Sequence, residues 1–581
     1  MIRARVGAMV AAVVVLAACG PVAPRSGASG SRDENSTSRS GPALEGTTGG
    51  TATVALDQVP TTLNDHTVAG DTVSGHFVAS AIWPQVFQVG PGQTPVLDTS
   101  VVLSAELVSV SPQTVVYQIN PKALWSDGTP IGSEDFIYAW QSQRGGATDV
   151  DGSPDSVAST LGYRDISSVT GSNGGRTVTV VFHTDFGDWE SLFDDLLPAH
   201  IAERVGWNQG FDSFDPSTLV SGGPWQVESW QPGSQIVLGR NSRWWGPAPH
   251  LDRIVVDATS GQGAMVGALR SGEADIGYSS TFDSASLAQV SSTPDLETRE
   301  SLGTTMLQLV FNVRHPPLDN TAVRQGIAHA IDRAGIITTL VQPLNGSIWE
   351  DNDYLFANTQ PQYVDDGAGY VQADPATADR LLSQGGLVAD PTGTWTLHGA
   401  PVTLNLAWAQ DNPWSALVAP AIAAQLVNAG FDVTTDPVTT SQLAAAVLPT
   451  GAFDLAIAPI GASAYPTATT EYFSSASSVT GSTANRDWSG FSDPRLDALF
   501  AQAAETLGSN QSQPLYRQLD QELWADMPAL PLFDEPTLLV NSAWVNGVTD
   551  DPGGLGPFLS ATKWFRVVSV SRNKSRSTSA Q

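Results

Sequence analysis

The sequence predicts a mixed α/β protein of two or three lobes. Short runs alternate apolar and polar residues, as half-buried strands do. Longer runs carry apolar residues three and four apart, between residues that cap helices. About 520 residues remain once polar ends are set aside, more than one core usually holds.

The elements follow in order. Thr51-Ala52-Thr53-Val54-Ala55-Leu56 alternates and reads as a strand. Val115-Val116-Tyr117-Gln118-Ile119 and Arg176 to Phe182 read the same way. Asp127-Gly128-Thr129-Pro130 is a tight turn, with Gly128 supplying a positive φ. Gly222-Gly223-Pro224 leads a further strand and is placed near a hinge. Trp244 and Trp245 are read as core packing rather than ligand contacts. After Asn320, apolar Val323, Ile327, Ala330, Ile331 and Ala334 recur at helical spacing. Arg324 and Arg333 on that helix are expected to anchor lobes through ion pairs. Asp374-Pro375 opens a helix as N-cap and N1, and Gly385 closes it. Thr403 to Trp408 is a strand with Leu404, Leu406 and Trp408 on one face. Leu417 to Gly430 is a helix leading into a strand at Phe431-Asp432-Val433. Asp493-Pro494 starts another helix, carrying Leu496, Leu499, Phe500 and Ala503.

The N-terminus carries a different pattern. Arg3 and Arg5 precede an apolar run, Val6 to Ala18, and then Cys19, the one cysteine of 581 residues. The run is about 20 Å long as a helix, short of the roughly 30 Å bilayer core. It reads as a signal peptide over residues 1–19. Leu16-Ala17-Ala18-Cys19 resembles the bacterial lipobox, which implies acylation of Cys19 and a lipid anchor. The alternative is an ordinary signal peptide with an Ala-rich cleavage site. Residues 20–50 are rich in Gly, Ser, Thr and Pro and read as a flexible tether, and residues 569–581 as a disordered basic tail.

Composition excludes several classes. There are 58 acidic against 27 basic residues, a net charge of −31. Such a surface repels phosphate backbones, so no nucleic-acid partner is expected. One cysteine permits neither a disulfide framework nor a Cys-based metal site. The eight histidines lack ligand spacing: His66 and His76 are read in a loop and His329 on a helix face. No HExxH, GxSxG or P-loop occurs. Ser560-Ala561-Thr562-Lys563 fits an SxxK tetrapeptide, but without Ser-Asp-Asn or Lys-Thr-Gly partners. Neither an enzyme nor a cofactor or metal site is expected.

Several segments, in order, resemble the extracellular solute-binding proteins of ABC importers, family 5, the oligopeptide/dipeptide-binding class. Gly50 to Leu56 with Leu63-Asn64-Asp65-His66 looks like the family's opening strand and loop. Leu124-Trp125-Ser126-Asp127-Gly128-Thr129-Pro130-Ile131, with Asp135-Phe136 and Ala139-Trp140, is similar to its signature. Gly222 to Val227, Trp230 to Gly233 and Arg240 to Gly246 match the next block, and Leu269 to Ile276 follows. Phe311-Asn312, Pro316 to Asp319, Val323-Arg324-Gln325 and Ala330 to Arg333 form a fourth. Phe491 to Asp497 and Pro528 to Leu532 sit where the family's last helices do. Six blocks in the right order make the resemblance specific over roughly Thr51 to Phe565.

The resemblance implies a type II periplasmic-binding-protein-like clamshell, two lobes plus an inserted small domain. Lobe I is expected over residues 51–88, 196–303 and 530–568, the insert over 89–195 and lobe II over 304–529. It also implies a ligand enclosed by hinge closure and handed to ABC permease and ATPase subunits by a monomeric, membrane-anchored protein on the extracytoplasmic face. In peptide-binding members a lobe II carboxylate binds the peptide amine, within a Gly-x-Ala-Asp-Tyr block. Here Gly461-Ala462-Ser463-Ala464-Tyr465 puts Ser463 where the Asp would be, and Tyr465 follows. A hydroxyl compensates poorly for a desolvated ammonium. The remaining expected contacts are Val68, Ala69 and Gly70 in the opening loop, Trp408, Asp411 and Trp414 at and after a strand, and Gly461. This set suits a neutral, bulky or lipid-like ligand. The expected function is uptake of oligopeptides or peptide-like solutes. The alternative is a non-transport lipoprotein of the same fold acting in cell-envelope glycolipid synthesis. Leu196 to Ile201 and Gly556 to Trp564 look like that actinobacterial branch. A cell-wall hydrolase is the third reading.

Overall fold

The structure, a computed structural model, describes residues 46–90, 93–344, 348–475, 486–551 and 554–567. The signal peptide with Cys19, most of the tether and the basic tail lie outside the described residues.

Strand β1 (Thr51–Leu56) forms where its alternation predicts. β2 (Val102–Val110), β3 (Gln113–Ile119), β4 (Ile166–Ser172) and β5 (Thr177–Phe182) make a separate antiparallel sheet in the order β2-β3-β5-β4. β6 (Trp225–Gln231), β7 (Gln235–Arg240), β8 (Arg253–Ala258) and β9 (Ile276–Ser279) follow. Then come the long β10 (Leu296–Phe311), β11 (Thr403–Ala409), β12 (Asp432–Val438), β13 (Leu455–Gly461) and the long β14 (Ala529–Ser542). With β1 these nine strands build one ten-stranded sheet, ordered β12-β11-β13-β10-β14-β9-β1-β8-β7-β6.

The antiparallel pair β10 and β14 stands at the middle of that order, registered from Leu296↔Ser542 to Val310↔Ala529. On either side is a wing holding parallel strands, β11 with β12 and β13, and β1 with β8 and β9. Parallel strands need both faces covered. Two apolar clusters provide that cover: Trp414, Phe473, Trp524 and Phe533 belong to one, which also takes in Ala55, Met265 and Phe282 on the β1–β9 side, and Trp83, Trp125, Trp225 and Trp564 to the other. All fourteen residues of β14 are buried. The β10–β14 register shifts between Leu302 and Thr305. Gly303 lies in this bulge, where a Cβ would come within 2.5 Å of the Glu535 carbonyl oxygen.

The helices start where their caps predict. Six of them are α1 (Val73–Ile82), α2 (Thr321–Ala330), α3 (Pro375–Gln384), α4 (Pro413–Asn428), α5 (Pro494–Glu505) and α6 (Ser509–Asp526). Asn320, Asp374 and Asp493 accept backbone N–H bonds as N-caps. Gly128 has φ +98°, as its turn requires.

Some expectations need correction. His76 lies on α1, not in a loop. The periodicity after Asn320 breaks at Ile331, because Asp332 caps a new turn by accepting from Gly335 N at 3.0 Å. α4 begins four residues early, since Asn412 accepts from Ser415 N and Pro413 takes N1. Gly222-Gly223-Pro224 is remote from the central strands: Gly223 packs on α1, where a Cβ would meet the Ala81 carbonyl oxygen at 2.5 Å. Arg324 and Arg333 are buried but form no ion pair among the described residues. Arg333 donates to the carbonyls of Tyr370, Asp351, Pro531 and Gly367 and to Asn352 Oδ1. Arg324 donates to the carbonyls of Met527, Leu318 and Asp526. Five fixed N–H groups make guanidinium well suited to collect loop carbonyls.

Candidate functional site

Among the described residues, five residue pairs, hydrogen-bonded or ion-paired, span the cleft facing the β11–β13 wing: two reach the opposite wing and three reach the segment that follows the separate β2–β5 sheet. Trp414 Nε1 donates to the Ser280 carbonyl at 3.1 Å. Tyr465 OH donates to the Glu190 carbonyl at 2.9 Å, and Thr467 N donates to Asp188 Oδ2 at 2.9 Å. Gly187 N donates to the Ala504 carbonyl at 2.6 Å. Arg486 pairs with Asp71 at 3.2 Å.

Beside the Tyr465, Thr467 and Gly187 contacts lies a cavity of about 580 Å³. One wall is formed by Gln93, Asp188, Trp189 and Glu190; the other by Phe356, Gln362, Tyr465 and Tyr516. Two other cavities, about 690 and 290 Å³, are each confined to one wing, the first beside Trp395 and Gln425, the second beside Trp83 and Trp225. Only the 580 Å³ cavity, of these three, draws its lining from both sides of the cleft.

The loop after β13 is built by its own hydrogen bonds. Ala462 N donates to the Thr304 carbonyl at 2.7 Å, so the β10 bulge sets the loop's height. Ser463 Oγ accepts from Tyr465 N at 3.1 Å, and the Ser463 carbonyl accepts from Gln360 Nε2 at 2.8 Å. Tyr465 then reaches Glu190, and burial raises its phenol pKa, with Glu190, Asp194 and Asp188 adding to the shift. Burial also raises the carboxyls of Asp188 and Glu190, and for Glu190 the charge of Asp188 adds to it.

The opening loop carries a second polar group. His76 sits between Asp65 and Asp71, with its ring nitrogens 3.0 and 3.1 Å from their oxygens. Burial opposes its charge, but the two carboxylates outweigh that and hold its pKa well above the usual value. Asp71 therefore carries both His76 and, from the other wing, Arg486, whose guanidinium lies 5.7 Å from the Tyr472 ring centroid. Asp65, His76 and Asp195 bring ligand atoms within 4.8 Å of one another. Both His76 nitrogens are taken by carboxylates, which is the arrangement of an imidazolium ion pair.

The structure does not gather the sequence-selected residues into one chamber. Tyr465 lines the cavity, and Ser463 is in the turn that supports it. Gly461 is exposed at the end of β13. Val68 and Ala69 are exposed at the tip of the opening loop, while Gly70 is buried against the Asn64 carbonyl. Trp408 is partly buried on β11 and its indole N–H has no partner among the described residues. Asp411 accepts from Thr440 N and Oγ1 at 2.7 and 2.8 Å. Trp414 is fully buried, edge-on to Phe282 at 5.3 Å and Phe533 at 6.2 Å. Sequence reasoning missed Asp188, Glu190, Gln93 and Gln362. An acid–aromatic–acid run at Asp188-Trp189-Glu190 was the only local sign. Ser560 of the SxxK tetrapeptide is held by Trp564 Nε1 and Thr549 N, away from the cleft.

The profile described as bacterial extracellular solute-binding proteins, family 5 Middle, matches residues 96–483. The chain is 28% identical over 515 residues to the oligopeptide-binding protein OppA of Mycobacterium tuberculosis, covering 86% of this chain and 82% of that one. It is 27% identical over 422 residues to the probable monoacyl phosphatidylinositol tetramannoside-binding protein LpqW of Mycobacterium tuberculosis, covering 66% of this chain. In that match it spans 64% of LpqW's length. Among solved structures, the periplasmic EDTA-binding protein EppA superposes with a TM-score of 0.81 at 26% identity, covering 90% of this chain and 98% of that one. No helix among the described residues is long and apolar enough to cross a membrane. A mixed α/β sheet of this order and a profile match over most of the chain agree, and the chain belongs to the family 5 bacterial extracellular solute-binding proteins.

Proposed function

We propose that this protein is the binding component of an ABC importer, closing two lobes around an oligopeptide or peptide-like solute. What supports this is a 580 Å³ cavity lined by residues 93–190 on one side and 356–516 on the other and bounded by bonds between them, with Trp414–Ser280 and Arg486–Asp71 joining the two wings beyond it. In this reading lobe I comprises residues 51–88, 196–303 and 530–568, the small domain 89–195, and lobe II 304–529. β10 and β14 are the hinge strands. Closure forms the five cross-cleft contacts, excludes water and presents one shape to the permease. Acylated Cys19 tethers a monomer to the extracytoplasmic face of the membrane. Val68, Ala69, Gly70, Trp408, Asp411, Trp414, Gly461, Ser463 and Tyr465 contribute to the ligand chamber or its rim. Catalysis has no part in the cycle. The OppA relative supports this assignment by its name.

The LpqW relative favours a second reading, a non-transport lipoprotein engaging a mannosylated envelope lipid. One experiment separates them. Native mass spectrometry of the purified protein, followed by thermal-shift assay with the recovered compound, identifies the ligand class. At 100 times its dissociation constant a true ligand stabilises by about 2.7 kcal/mol. A peptide supports import, a glycolipid supports the second reading, and no stabilising solute of either kind rejects both.

A further inference from the structure

The 580 Å³ cavity is one-sided in its charge. Its two charged side chains, Asp188 and Glu190, are both acids, and no Lys, Arg or His lines it. Among the described residues neither acid is in an ion pair. Asp188 Oδ2 accepts only from Thr467 N and the Thr467 hydroxyl, both neutral donors. Two further acceptors are left open. Gln93 is 4% exposed, lines the cavity, and its Oε1 has no hydrogen-bond partner among the described residues. Gln362 Oε1, on the facing wall, is buried and unpartnered too. The Trp189, Phe356, Tyr465 and Tyr516 rings share the lining with neutral Thr94, Ser509, Ser512 and Gln513.

Buried carboxylates without a counter-ion are unfavourable, and so are buried carbonyls without a donor. Both deficits are removed by one kind of guest, a cation with several N–H groups. Aromatic faces add attraction to the same charge. The chain's net charge of −31 draws cations toward it from a distance. The expectation of a neutral ligand came from Ser463 and the largely apolar set around it, of which Tyr465 is the member that lines this cavity.

Resting on the solute-binding reading above, we propose that this cavity receives an ammonium or guanidinium group of the solute, with Glu190 and Asp188 as its counter-ions and the Gln93 and Gln362 side-chain carbonyls as acceptors. Calorimetric titration with N-acetylated, C-amidated tripeptides tests it, the central residue being lysine, arginine, norleucine or glutamate. The lysine and arginine probes should bind at least tenfold more tightly than norleucine, and glutamate least. Glu190→Gln and Asp188→Asn should each bring lysine and arginine down toward norleucine, and raising salt should weaken the cationic probes selectively. Circular dichroism melts check that both variants fold. Equal binding of all four probes, or a preference that survives both substitutions, overturns the cation assignment and leaves solute binding standing. If no probe binds and native mass spectrometry finds no retained solute, the proposal falls together with the reading on which it rests.

Discussion

Glu535 is a buried acid in the central strand β14, 3% exposed, opposite the β10 bulge. Its Oε1 accepts from Asn412 Nδ2 at 3.3 Å, and among the described residues it is in no ion pair. Burial pushes its pKa from 4.5 up to about 8, against a lowering by Asn412. The folded value lies above the unfolded one, so the native chain binds more protons between them. The contribution is therefore intact below pH 4.5 and is lost as pH rises through 8. Each tenfold change in proton affinity corresponds to about 1.4 kcal/mol, which gives a cost of about 3 kcal/mol at pH 7 and an upper bound of about 5 kcal/mol above pH 8. Glu535→Gln removes the titration and keeps the shape and an acceptor for Asn412. Urea unfolding of both proteins from pH 5 to pH 9 reads the difference. The variant should be nearly as stable as wild type at pH 5 and clearly more stable at pH 8 to 9. Neighbouring acids such as Asp534, pushed up to about 7, titrate in both proteins and cancel. Parallel stability curves across the range would refute the reasoning.

Three further outcomes are expected. Trp414→Ala should cost about 3–5 kcal/mol, because it empties a fully buried site, and Trp414→Phe about 1 kcal/mol, the worth of the indole bond to Ser280; unfolding midpoints measure both. Arg333→Lys should destabilise by about 3 kcal/mol or more despite keeping the charge, since an ammonium cannot serve five acceptors and each abandoned buried carbonyl costs about 1–3 kcal/mol; a change under about 1 kcal/mol in urea titration would contradict the carbonyl-collecting role. Ser463→Asp preserves an acceptor for Tyr465 N and adds a carboxylate beside the cleft; it should shift the affinity ratio of free-amine to acetylated peptide at least tenfold toward the free amine, and an unchanged ratio in calorimetry would count against the placement of Ser463.

Local chemistry made most elements legible. Alternation located β1, β3 and β5, and Asp374-Pro375 and Asp493-Pro494 located two helix starts, because a cap acts on neighbours two or three residues away. The same local rules explain the errors. Apolar periodicity carried the helix after Asn320 past Ile331, but the Asp332 side chain competes for the backbone there. Charge alone suggested ion pairs for Arg324 and Arg333, whereas the loops folded over them present carbonyls.

By itself the sequence determined the α/β class, the family resemblance and the strongly acidic balance. Only the tertiary structure decided which acids share a chamber. Asp188 and Glu190 meet Tyr465 across some 275 residues of chain, and Glu535 is pushed toward its neutral form by burial opposite β10, against the Asn412 hydrogen bond. Periodicity and capping are read over a few residues, while burial and charge pairing depend on which distant segments exclude water together.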